Sequence, residues 1–423
     1  MLIIANTLDF NGGTTFILRY CRESYRRGKR MGVLVMTGKN ASPLPLYHEI
    51  CKYADVYYLE EFMRFSASRA LSNTPLIGFL PINIESVNKI IIKHNNSVHV
   101  MGVFGLLFIN KVVGKISSMV RISVGIYHQN EFMFNSNWYF TKLVHRIFKK
   151  ISSNGVVFFN EANINSYSIF FDIDYSSATL VPIGIELPLQ QGVCYGSSSG
   201  RQIVSIGNLY NFKTYNQHII TIMPSLIKLD PEFSYEIYGD GPYEKELREI
   251  VEKLGIVDKV NFNGRIPYSE FATVLHGAFM FVGSGTALVE AAALGVPAMI
   301  GIESSKQAIT YGFLNEINGY SYNEFEINRT TFEMQDKIQI ILDDSESWER
   351  VSKFCQDKAA DFSISKTYEL IEKREYSFPV LIPEKMNVFI RWRVIFSFLL
   401  CIFFHVCKID RSFSNRRDQG TIS

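Results

Sequence analysis

Short apolar runs alternate with longer segments of helical periodicity along most of the chain. The runs are rich in β-branched residues and are bounded by turn residues, a pattern typical of strands that are buried on both faces. The segments between them repeat apolar residues every three or four positions, as amphipathic helices do. This alternation predicts parallel sheets with helices on both faces. In the first half, the predicted strands are residues 2–6, 32–36, 55–59, 97–101, 122–127, 155–159 and 178–182.

The second half repeats the alternation, with predicted strands at residues 202–207, 233–239, 259–264, 278–283 and 296–301. Between the halves, residues 186–200 (ELPLQQGVCYGSSSG) lack periodicity and are rich in glycine and serine, which is typical of a domain boundary. We therefore predict a domain at 1–185, this linker, a domain at 201–365, and C-terminal helices with an apolar, basic tail at 366–423. The predicted fold class is α/β, with two doubly wound Rossmann-like domains facing a cleft that binds the ligand.

Composition narrows the class of protein. With 423 residues, 47% of them hydrophobic, the chain is long enough for two domains with substantial cores. Its formal net charge of +2 argues against a nucleic-acid-binding surface. The six cysteines form no CxxC pair and no zinc-type cluster with histidine, so we expect free thiols in a reducing compartment. The N-terminus lacks the basic segment of a signal peptide, so we expect a cytoplasmic protein.

An apolar segment near the C-terminus differs from the rest of the chain. Residues 394–407 (VIFSFLLCIFFHVC) carry no formal charge, but they are fewer than the roughly 20 residues that span a bilayer. The basic residues that flank the segment are Arg391, Arg393, Lys408, Arg411, Arg416 and Arg417. This combination predicts that residues 388–417 lie on the anionic inner surface of the cell membrane. The alternative is a buried C-terminal helix of the second domain.

Four glycine-containing loops follow predicted strands of the second domain. They are GNLYNFK (207–213), GDGP (239–242), NGR (263–265) and GSGT (283–286). Since the carboxyl ends of parallel strands share one edge of a sheet, we expect these loops to converge. Backbone amides at a helix N-terminus bind phosphate, and Lys213 adds a positive charge. One glycine after a strand is more often a plain turn, so the predicted phosphate site depends on the set of four.

Glu290 follows Thr286 by four residues, on the same face of a helix otherwise made of small and apolar residues. A diphosphate held at the start of this helix would leave an attached ribose beside that face, where a carboxylate can accept both hydrogens of a cis-diol. The alternative is an acid that pairs with a nearby lysine or is exposed to solvent. Glu290 is not a capping-box acid, because Ala287, three residues before it, cannot cap a helix.

The segment from Ile203 to about Gly301 resembles the nucleotide-binding domain of family-four glycosyltransferases, which are retaining enzymes of the GT-B fold. The matching residues are IVSIGNLYNFK, EIYGDGPYEKELREIVEKLG, VNFNGRIPYSE and GSGTALVEAAALGVPA. In the first domain a looser resemblance lies in NGGTT (11–15), IYHQNE (126–131) and VPIGIE (181–186). Together the matches cover most of residues 1–320, and they imply the GT-B fold for the whole of that range.

The resemblance also implies roles for particular residues. Glu290 would hold the ribose of the donor nucleotide, and Lys213 would contact its diphosphate together with the backbone amides of Thr286 and Ala287. His128 would approach the donor sugar from the other domain, whereas we expect the nearby Glu131 to be solvated. These roles make His128, Lys213 and Glu290 the candidate catalytic residues.

Further matching residues complete the predicted donor site. Gly264 and Arg265 would lie against the base, and Gly12 and Gly13 would let the first-domain loop approach the phosphates. The candidate donor-binding residues are Gly12, Gly13, Asn208, Lys213, Gly239, Gly264, Arg265, Gly285, Thr286, Ala287 and Glu290.

Two positions depart from the family pattern. Asn208 stands where the family often has an arginine that helps to bind the diphosphate. Val282 stands where it often has a second glutamate, eight residues before the first, that binds hydroxyl groups of the donor sugar. Both departures leave the identity of the donor sugar open.

The resemblance implies a glycosyltransferase that moves a sugar from a UDP- or GDP-linked donor to a lipid-linked or polysaccharide acceptor, with retention of configuration, in bacterial cell-surface polysaccharide (lipopolysaccharide or O-antigen) biosynthesis. The leaving phosphate would accept the proton of the acceptor. No DxD motif suited to a metal–diphosphate bridge stands at a strand end, so we expect no metal and no cofactor. The alternatives are a nucleotide-sugar epimerase of the GT-B fold and a non-catalytic protein that binds sugar nucleotides.

Overall fold

The computed structural model describes residues 1–9, 12–39, 44–64, 72–189, 192–326 and 328–413. The described chain forms two compact units. The first combines residues 1–181 with residues 364–413, and the second is residues 182–363. The described part of the chain therefore passes from one unit to the other twice.

The first unit is built on seven short strands, most of whose residues are buried. They are β1 (Leu2–Ala5), β2 (Met31–Val35), β3 (Ala54–Tyr58), β4 (Ser97–Met101), β5 (Arg121–Ile126), β6 (Val156–Phe158) and β7 (Thr179–Leu180). All neighbours pair in parallel, in the order β3-β2-β1-β4-β5-β6-β7. Leu2, Ile4 and Val33 have almost no exposed surface, as expected for strands covered on both faces. The strands predicted for the first half are confirmed, with ends displaced by at most two residues.

Helices connect these strands, as the periodicity predicts. They are α1 (Gly12–Arg26), α2 (Leu44–Tyr53), α3 (Ile84–Lys93), α4 (Val103–Val113), α5 (Tyr139–Lys149) and α6 (Glu161–Phe171). Asparagine side chains cap two of them: Asn83 accepts from the Ser86 amide, and Asn160 from the Asn163 amide. The strand order reverses between β1 and β4, so ligands of such a sheet bind beyond the carboxyl ends of these two strands.

The second unit contains a five-stranded parallel sheet. Its strands are β8 (Gln202–Ile206), β9 (Ser234–Tyr238), β10 (Val260–Gly264), β11 (Met280–Gly283) and β12 (Ala298–Ile300). Their order is β10-β9-β8-β11-β12, with the reversal between β8 and β11. Val282 stands where the resembled family often has a second glutamate. It has no exposed surface and pairs with Met299, so this position belongs to the core of the sheet. The strands predicted for the second half are also confirmed.

The helices of the second unit pack on this sheet and on one another. They are α7 (Tyr215–Leu229), α8 (Glu244–Leu254), α9 (Phe271–Val274), α10 (Gly285–Ala293), α11 (Met334–Asp343) and α12 (Ser345–Ala359). Two further strands, β13 (Ile309–Thr310) and β14 (Phe332–Glu333), form an antiparallel pair. Ala291 and Ala292 of α10 are fully buried, because small side chains let this helix pack closely between β11, β12 and α12. The predicted α/β class is confirmed in both units.

Two C-terminal helices, α13 (Ile364–Glu375) and α14 (Val388–Val406), belong to the first unit. The guanidinium of Arg27, just after α1, donates to Glu369 on α13 at 2.8 Å. On α14, the Phe398 ring lies 5.0 Å from that of Phe104, and the Ser397 hydroxyl accepts a hydrogen bond from the Tyr139 amide at 2.9 Å. One face of α14 therefore completes the core of the first unit, whereas the sequence alternative placed it on the second domain.

The opposite face of α14 is exposed and apolar. Trp392 and Phe396 are both 64% exposed, and Phe403 is 58% exposed. Among the described residues, α14 is the one helix whose length and composition would allow it to cross a membrane. Residues 414–417, the end of the predicted membrane-binding segment, lie outside the described residues.

Candidate active site

The start of α10 lies at the point where the sheet of the second unit reverses its strand order. Gly285 turns the chain from β11 into the helix with a φ of +65°, a conformation that costs glycine little. Its amide donates to the Asn323 side-chain oxygen at 2.8 Å, and its carbonyl accepts from the Tyr322 hydroxyl at 3.1 Å. The sequence predicts Gly285 as a donor-binding residue, and in the structure its amide is bonded to Asn323. The amides of Thr286 and Ala287 belong to the first turn, which has no intrahelical acceptor for them.

Lys213 comes from the loop after β8, on the other side of the same reversal point. Its Nζ lies 3.1 Å from the position that a Cβ on Gly207 would take, which places the ammonium group at the carboxyl end of β8. Burial acts to lower the pKa of Lys213, but the neighbouring Tyr215 and the carboxylate of Glu303 outweigh that effect and raise it. Lys213 is therefore a charged cation at neutral pH, as an anion-binding group must be.

The loops after β8 and β9 are locked together by backbone contacts. The Leu209 amide donates to the Asp240 carbonyl at 2.8 Å. A Cβ on Gly239 would lie 1.9 Å from the Gly207 carbonyl oxygen, so only glycine fits there. Gly239 is thus required by the approach of two loops, whatever its part in binding a ligand.

Glu290 is 7% exposed on α10, so the alternative that its carboxylate is solvated is wrong. It lies close enough to Tyr322 to raise the pKa of that phenol, although burial and the nearby Glu324 and Glu303 contribute more. Glu290 therefore belongs to a polar group around the Tyr322 hydroxyl. Its place one turn into the helix is compatible with the ribose-binding role that the resemblance implies.

The remaining predicted residues of this unit lie on the outer loops of the same edge. Arg265 follows β10, is exposed, and donates from Nε to Asp240 at 2.5 Å. Gly264 ends β10, and its carbonyl accepts from the Gly239 amide at 2.7 Å. Asn208 is exposed beside Leu209. The structure therefore brings the second-unit candidates to one edge of one sheet.

In the first unit, His128 lies just after β5 and is partly buried. Its Nδ1 accepts a hydrogen bond from the Asn130 amide at 3.1 Å, so the neutral ring carries its proton on Nε2. The preceding residue is fixed by a buried chain of hydrogen bonds: the Tyr127 hydroxyl lies 2.8 Å from His99 Nε2, and His99 Nδ1 lies 2.8 Å from the Ser123 hydroxyl. Burial lowers the pKa of His99 to about 4, so this histidine is neutral.

Gly12 and Gly13 begin α1, after the carboxyl end of β1. Gly12 is exposed, and no described atom lies within 4 Å of the place where its Cβ would be. This open space is compatible with a ligand that approaches the backbone, the role predicted for these glycines. Asn11, the first residue of the matching NGGTT segment, lies outside the described residues.

Some polar residues at these two edges are not predicted as site residues by the sequence. Glu131 is only 2% exposed, and its Oε1 and the Asn6 side chain both lie beside Gly102 at the reversal point of the first sheet. In the second unit, Glu303 follows β12 and accepts from the Ser284 hydroxyl at 2.6 Å. The one feature of the sequence that could have indicated Glu131 and Glu303 is their position, because each follows a strand and so lies at the carboxyl edge of its sheet.

The described ranges contain no group of three or more histidine, cysteine, aspartate or glutamate side chains that could hold a metal ion. All six cysteines lie in those ranges, and no disulfide bond joins them. What the second unit does offer is the partly buried cation of Lys213, the first turn of α10 and the carboxylates of Glu290 and Glu303. That set suits a phosphate-containing anion with attached hydroxyl groups.

Comparison with known proteins agrees with this location. Residues 197–354 match the family model "Glycosyl transferases group 1". An uncharacterized glycosyltransferase of Haemophilus influenzae is 24% identical over 178 residues, 40% of this chain and 47% of the relative. A phosphatidylinositol N-acetylglucosaminyltransferase component of Arabidopsis thaliana is 30% identical over 84 residues, 18% of this chain and 19% of the relative. The chain thus spans less than half the length of these curated relatives.

Solved structures resemble nearly the whole chain. The Anabaena protein HepE, crystallised in complex with UDP, has a TM-score of 0.61 at 14% identity and covers 89% of this chain and 99% of its own. Sucrose-phosphate synthase from Thermosynechococcus elongatus has a TM-score of 0.61 at 13% identity and covers 89% and 98%. A variant of Staphylococcus aureus TarM has a TM-score of 0.59 at 12% identity and covers 88% and 99%. At these identities the likeness concerns the fold, and the chain has the GT-B type of fold with two parallel-sheet units.

Proposed function

We propose that this chain is a glycosyltransferase that takes a sugar from a UDP- or GDP-linked donor and transfers it, with retention of configuration, to a lipid-linked or polysaccharide acceptor. The observation that carries the proposal is the edge of the second sheet, where Lys213, the first turn of α10 and Glu290 stand at the strand-order reversal. These residues fall inside the 197–354 match to "Glycosyl transferases group 1". A fold shared with a UDP-bound structure supports the same kind of donor.

Glycosyl transfer builds positive charge on the sugar and negative charge on the departing diphosphate. The protein therefore has most to gain by stabilising that diphosphate, which is the task we assign to Lys213 and to the Thr286 and Ala287 amides. His128, with its Nε2 proton, would donate to the donor sugar. In a retaining reaction the leaving phosphate accepts the proton of the acceptor hydroxyl, so the proposal requires no dedicated base and no metal ion.

Glu290 offers a direct test of the nucleotide site. Wild-type protein should bind UDP or GDP more tightly than the corresponding 2′-deoxynucleotide, because the Glu290 carboxylate accepts from the ribose diol. In Glu290→Gln this preference should fall about tenfold, the usual weight of a hydrogen bond to a charged group. Calorimetric titration with each nucleotide measures it, with the exposed Glu252→Gln as the matched control. An unchanged preference in a folded Glu290→Gln protein would remove Glu290 from the ribose site.

Product analysis separates the proposal from its alternatives. Incubation with a panel of nucleotide sugars and a lipid-linked or oligosaccharide acceptor should give a glycosylated acceptor that retains the anomeric configuration. A free epimer of the donor would indicate an epimerase. Binding without turnover, in the presence of a range of acceptors, would indicate a non-catalytic protein. Turnover that disappears with a chelator and returns with a divalent cation would contradict metal independence.

We further propose that α14 holds the protein on the cytoplasmic surface of the cell membrane. Its exposed face carries Trp392, Phe396 and Phe403, which are the kind of side chains that enter the interfacial region. Basic side chains lie near its N-terminal end: Arg391 and Arg393 are in its first two turns, and Arg393 is exposed. The exposed Lys115 is close enough to Arg391 that this charge, after burial, lowers the pKa of Lys115. Positive charge beside an apolar face favours an anionic lipid surface. A bacterial cell-surface polysaccharide acceptor, such as a lipopolysaccharide or O-antigen precursor on a lipid carrier, would be reached there.

Point variants test this membrane proposal better than a deletion, because the other face of α14 is part of the core. The wild type should sediment with vesicles that contain anionic phospholipid. The double change Phe396→Asp and Phe403→Asp should weaken vesicle binding by at least about tenfold, since each charge opposes insertion into the interface. Ile169→Asp, which alters an 83% exposed residue of α6, serves as the control. Equal sedimentation of all three proteins would contradict a role for α14.

A further inference from the structure

The loop that follows β12 brings a carboxylate to the strand-order reversal of the second sheet. Glu303 lies three residues after the end of this strand and is partly buried. Its Oε1 accepts a hydrogen bond from the Ser284 hydroxyl at 2.6 Å. Ser284 is the residue directly before α10, so the carboxylate stands at the start of the helix proposed to bind phosphate.

Backbone contacts fix Glu303 from both sides. Its amide donates to the Asn323 carbonyl at 2.9 Å, and the Asn323 side chain accepts from the Gly285 amide at 2.8 Å. The next residue, Ser304, donates to the Phe212 carbonyl at 2.6 Å and has a φ of +60°, which is uncommon for a residue other than glycine. The loop therefore joins the start of α10 to the residue before Lys213. A conformation that costs energy here is maintained by contacts that position the Glu303 carboxylate.

Electrostatics links Glu303 to the proposed diphosphate site. Burial raises the pKa of Glu303, while the Lys213 ammonium and the Ser284 hydroxyl act in the opposite direction. The carboxylate in turn is one of the groups that raise the pKa of Lys213. An acid this close to a site for a diphosphate would repel the phosphate oxygens, so phosphate is not its ligand. A carboxylate has about four acceptor positions, and the Ser284 hydroxyl uses one of them.

Given the proposed function, we infer that Glu303 recognises the sugar of the donor. Its carboxylate accepts hydrogen bonds from hydroxyl groups of the sugar, which is attached to the terminal phosphate. That group lies next to the diphosphate in any nucleotide sugar, and its hydroxyls are the donors that a carboxylate binds best. Val282 cannot serve this purpose, because its side chain is fully buried in β11. The acid that selects the sugar is therefore supplied after β12, on a different loop from the one that begins α10.

The competing explanation is that Glu303 only balances the charge of Lys213. The two explanations differ in what they predict for the sugar increment, defined as the ratio of affinities for a nucleotide sugar and for its nucleoside diphosphate. A sugar-binding carboxylate contributes to this ratio. A counter-ion of Lys213 changes both affinities by the same factor and leaves the ratio unchanged.

The test uses the full chain and measures dissociation constants for UDP, GDP, UDP-glucose, UDP-N-acetylglucosamine and GDP-mannose. In Glu303→Gln, affinity for the preferred nucleoside diphosphate should stay the same or increase, since a negative charge is removed from the phosphate site. Affinity for the preferred nucleotide sugar should fall about tenfold. Ser284→Ala, which removes the donor that orients Glu303, should lower the sugar increment by a smaller factor in the same direction, and it tests the inference if Glu303→Gln fails to fold. Lys306→Gln, at an exposed position of the same loop, is the control that should change neither affinity.

The outcomes distinguish this inference from the proposed function. A wild type that binds none of the five compounds would overturn both. A wild type that binds a nucleoside diphosphate and its sugar conjugate, with a sugar increment that is the same in Glu303→Gln and Ser284→Ala, would overturn the inference and leave the proposed function intact. A reduced increment in both variants, with nucleoside diphosphate binding retained, supports Glu303 as the sugar-selecting residue.

Discussion

The carboxyl edges of the two parallel sheets have the same architecture and different contents. In the second unit, the edge presents Lys213, the start of α10 and the carboxylates of Glu290 and Glu303. In the first unit, the corresponding edge is packed with aromatic rings: Tyr127 lies 4.6 Å from Phe159 and 5.2 Å from Phe16, measured between ring centroids. The second-unit edge holds several charges suited to a ligand, whereas the first-unit edge combines a packed aromatic scaffold with the buried Glu131 and with His128.

Under the proposed function, this difference means that two similar sheets divide the work of one reaction. A charged ligand needs fixed charges and hydrogen-bond donors, and these occupy the loops of the second unit. A histidine that acts on such a ligand needs a defined orientation, and the buried His99 and its partners supply that in the first unit. The comparison can be tested by changes that should affect one unit and spare the other.

The largest expected effect is a difference in the free energy of unfolding between alanine variants of two glycines of the predicted donor site. Gly239→Ala should lower the free energy of unfolding by about 3 kcal/mol or more, because its Cβ would lie 1.9 Å from the Gly207 carbonyl oxygen. Gly12→Ala should change it by less than about 1 kcal/mol, since no described atom lies within 4 Å of the new methyl group. Chemical denaturation of both variants measures this. Equal losses would show that the two loops are equally crowded.

The second largest expected effect is that of Lys213→Ala on turnover. We expect turnover to fall by at least tenfold, and on the order of 10²-fold, because a preorganised positive charge at the departing diphosphate is lost. Steady-state kinetics with a saturating acceptor measures the change. Lys228→Ala, at the exposed C-terminal end of α7, is the matched control. Full activity in Lys213→Ala would place the diphosphate elsewhere.

The buried histidine of the first unit should make stability depend on pH. The folded pKa of His99 is about 4, below the ordinary value of 6.5, so the unfolded state binds more protons between these values. The His99 contribution to stability is therefore greatest at and above neutral pH, and it falls by about 2 kcal/mol between about pH 7 and pH 5. His99→Asn should lose this part of the pH dependence. An identical pH profile in the variant, from denaturation over the same pH range, would argue against a buried neutral His99.

His128→Ala should have the smallest effect of the four. We expect turnover to fall about tenfold, since one hydrogen bond to the donor sugar is lost, while affinity for the nucleoside diphosphate stays within about twofold. Kinetics and calorimetry on the same preparation separate the two quantities. His48→Ala, an exposed histidine of the first unit, is the control. Weaker nucleotide binding in His128→Ala would mean that the first unit also helps to bind the nucleotide, beyond the one hydrogen bond that His128 is proposed to donate to the sugar.

The sequence predicts the strands of both sheets to within two residues, because each strand is a local run of β-branched and apolar side chains. Lys213, Gly239 and the start of α10 could also be placed, since the end of a parallel strand fixes the edge at which its loop lies. The Asn323 side chain that holds the Gly285 amide could not be foreseen. It lies 38 residues further along the chain, and no local pattern links the two.

The sequence alone likewise does not show which isolated acids are buried. Glu131, expected to be solvated, is 2% exposed, and only the packing around Gly102 reveals this correction. The partners of α13 and α14 also depend on distant pairing, across 342 residues from Arg27 to Glu369 and 258 residues from Tyr139 to Ser397. Periodicity shows that a helix is amphipathic, but it does not show which surface receives its apolar face.

The return of residues 364–413 to the first unit has a consequence for how the protein is made. During synthesis the ribosome releases residues 1–181 first and the whole of the second unit next. Phe104 and Phe140 therefore lack their partner Phe398 while more than two hundred further residues are translated. The unit that is begun first is completed last, and a nascent chain halted at residue 363 exposes apolar surface that α14 would otherwise cover.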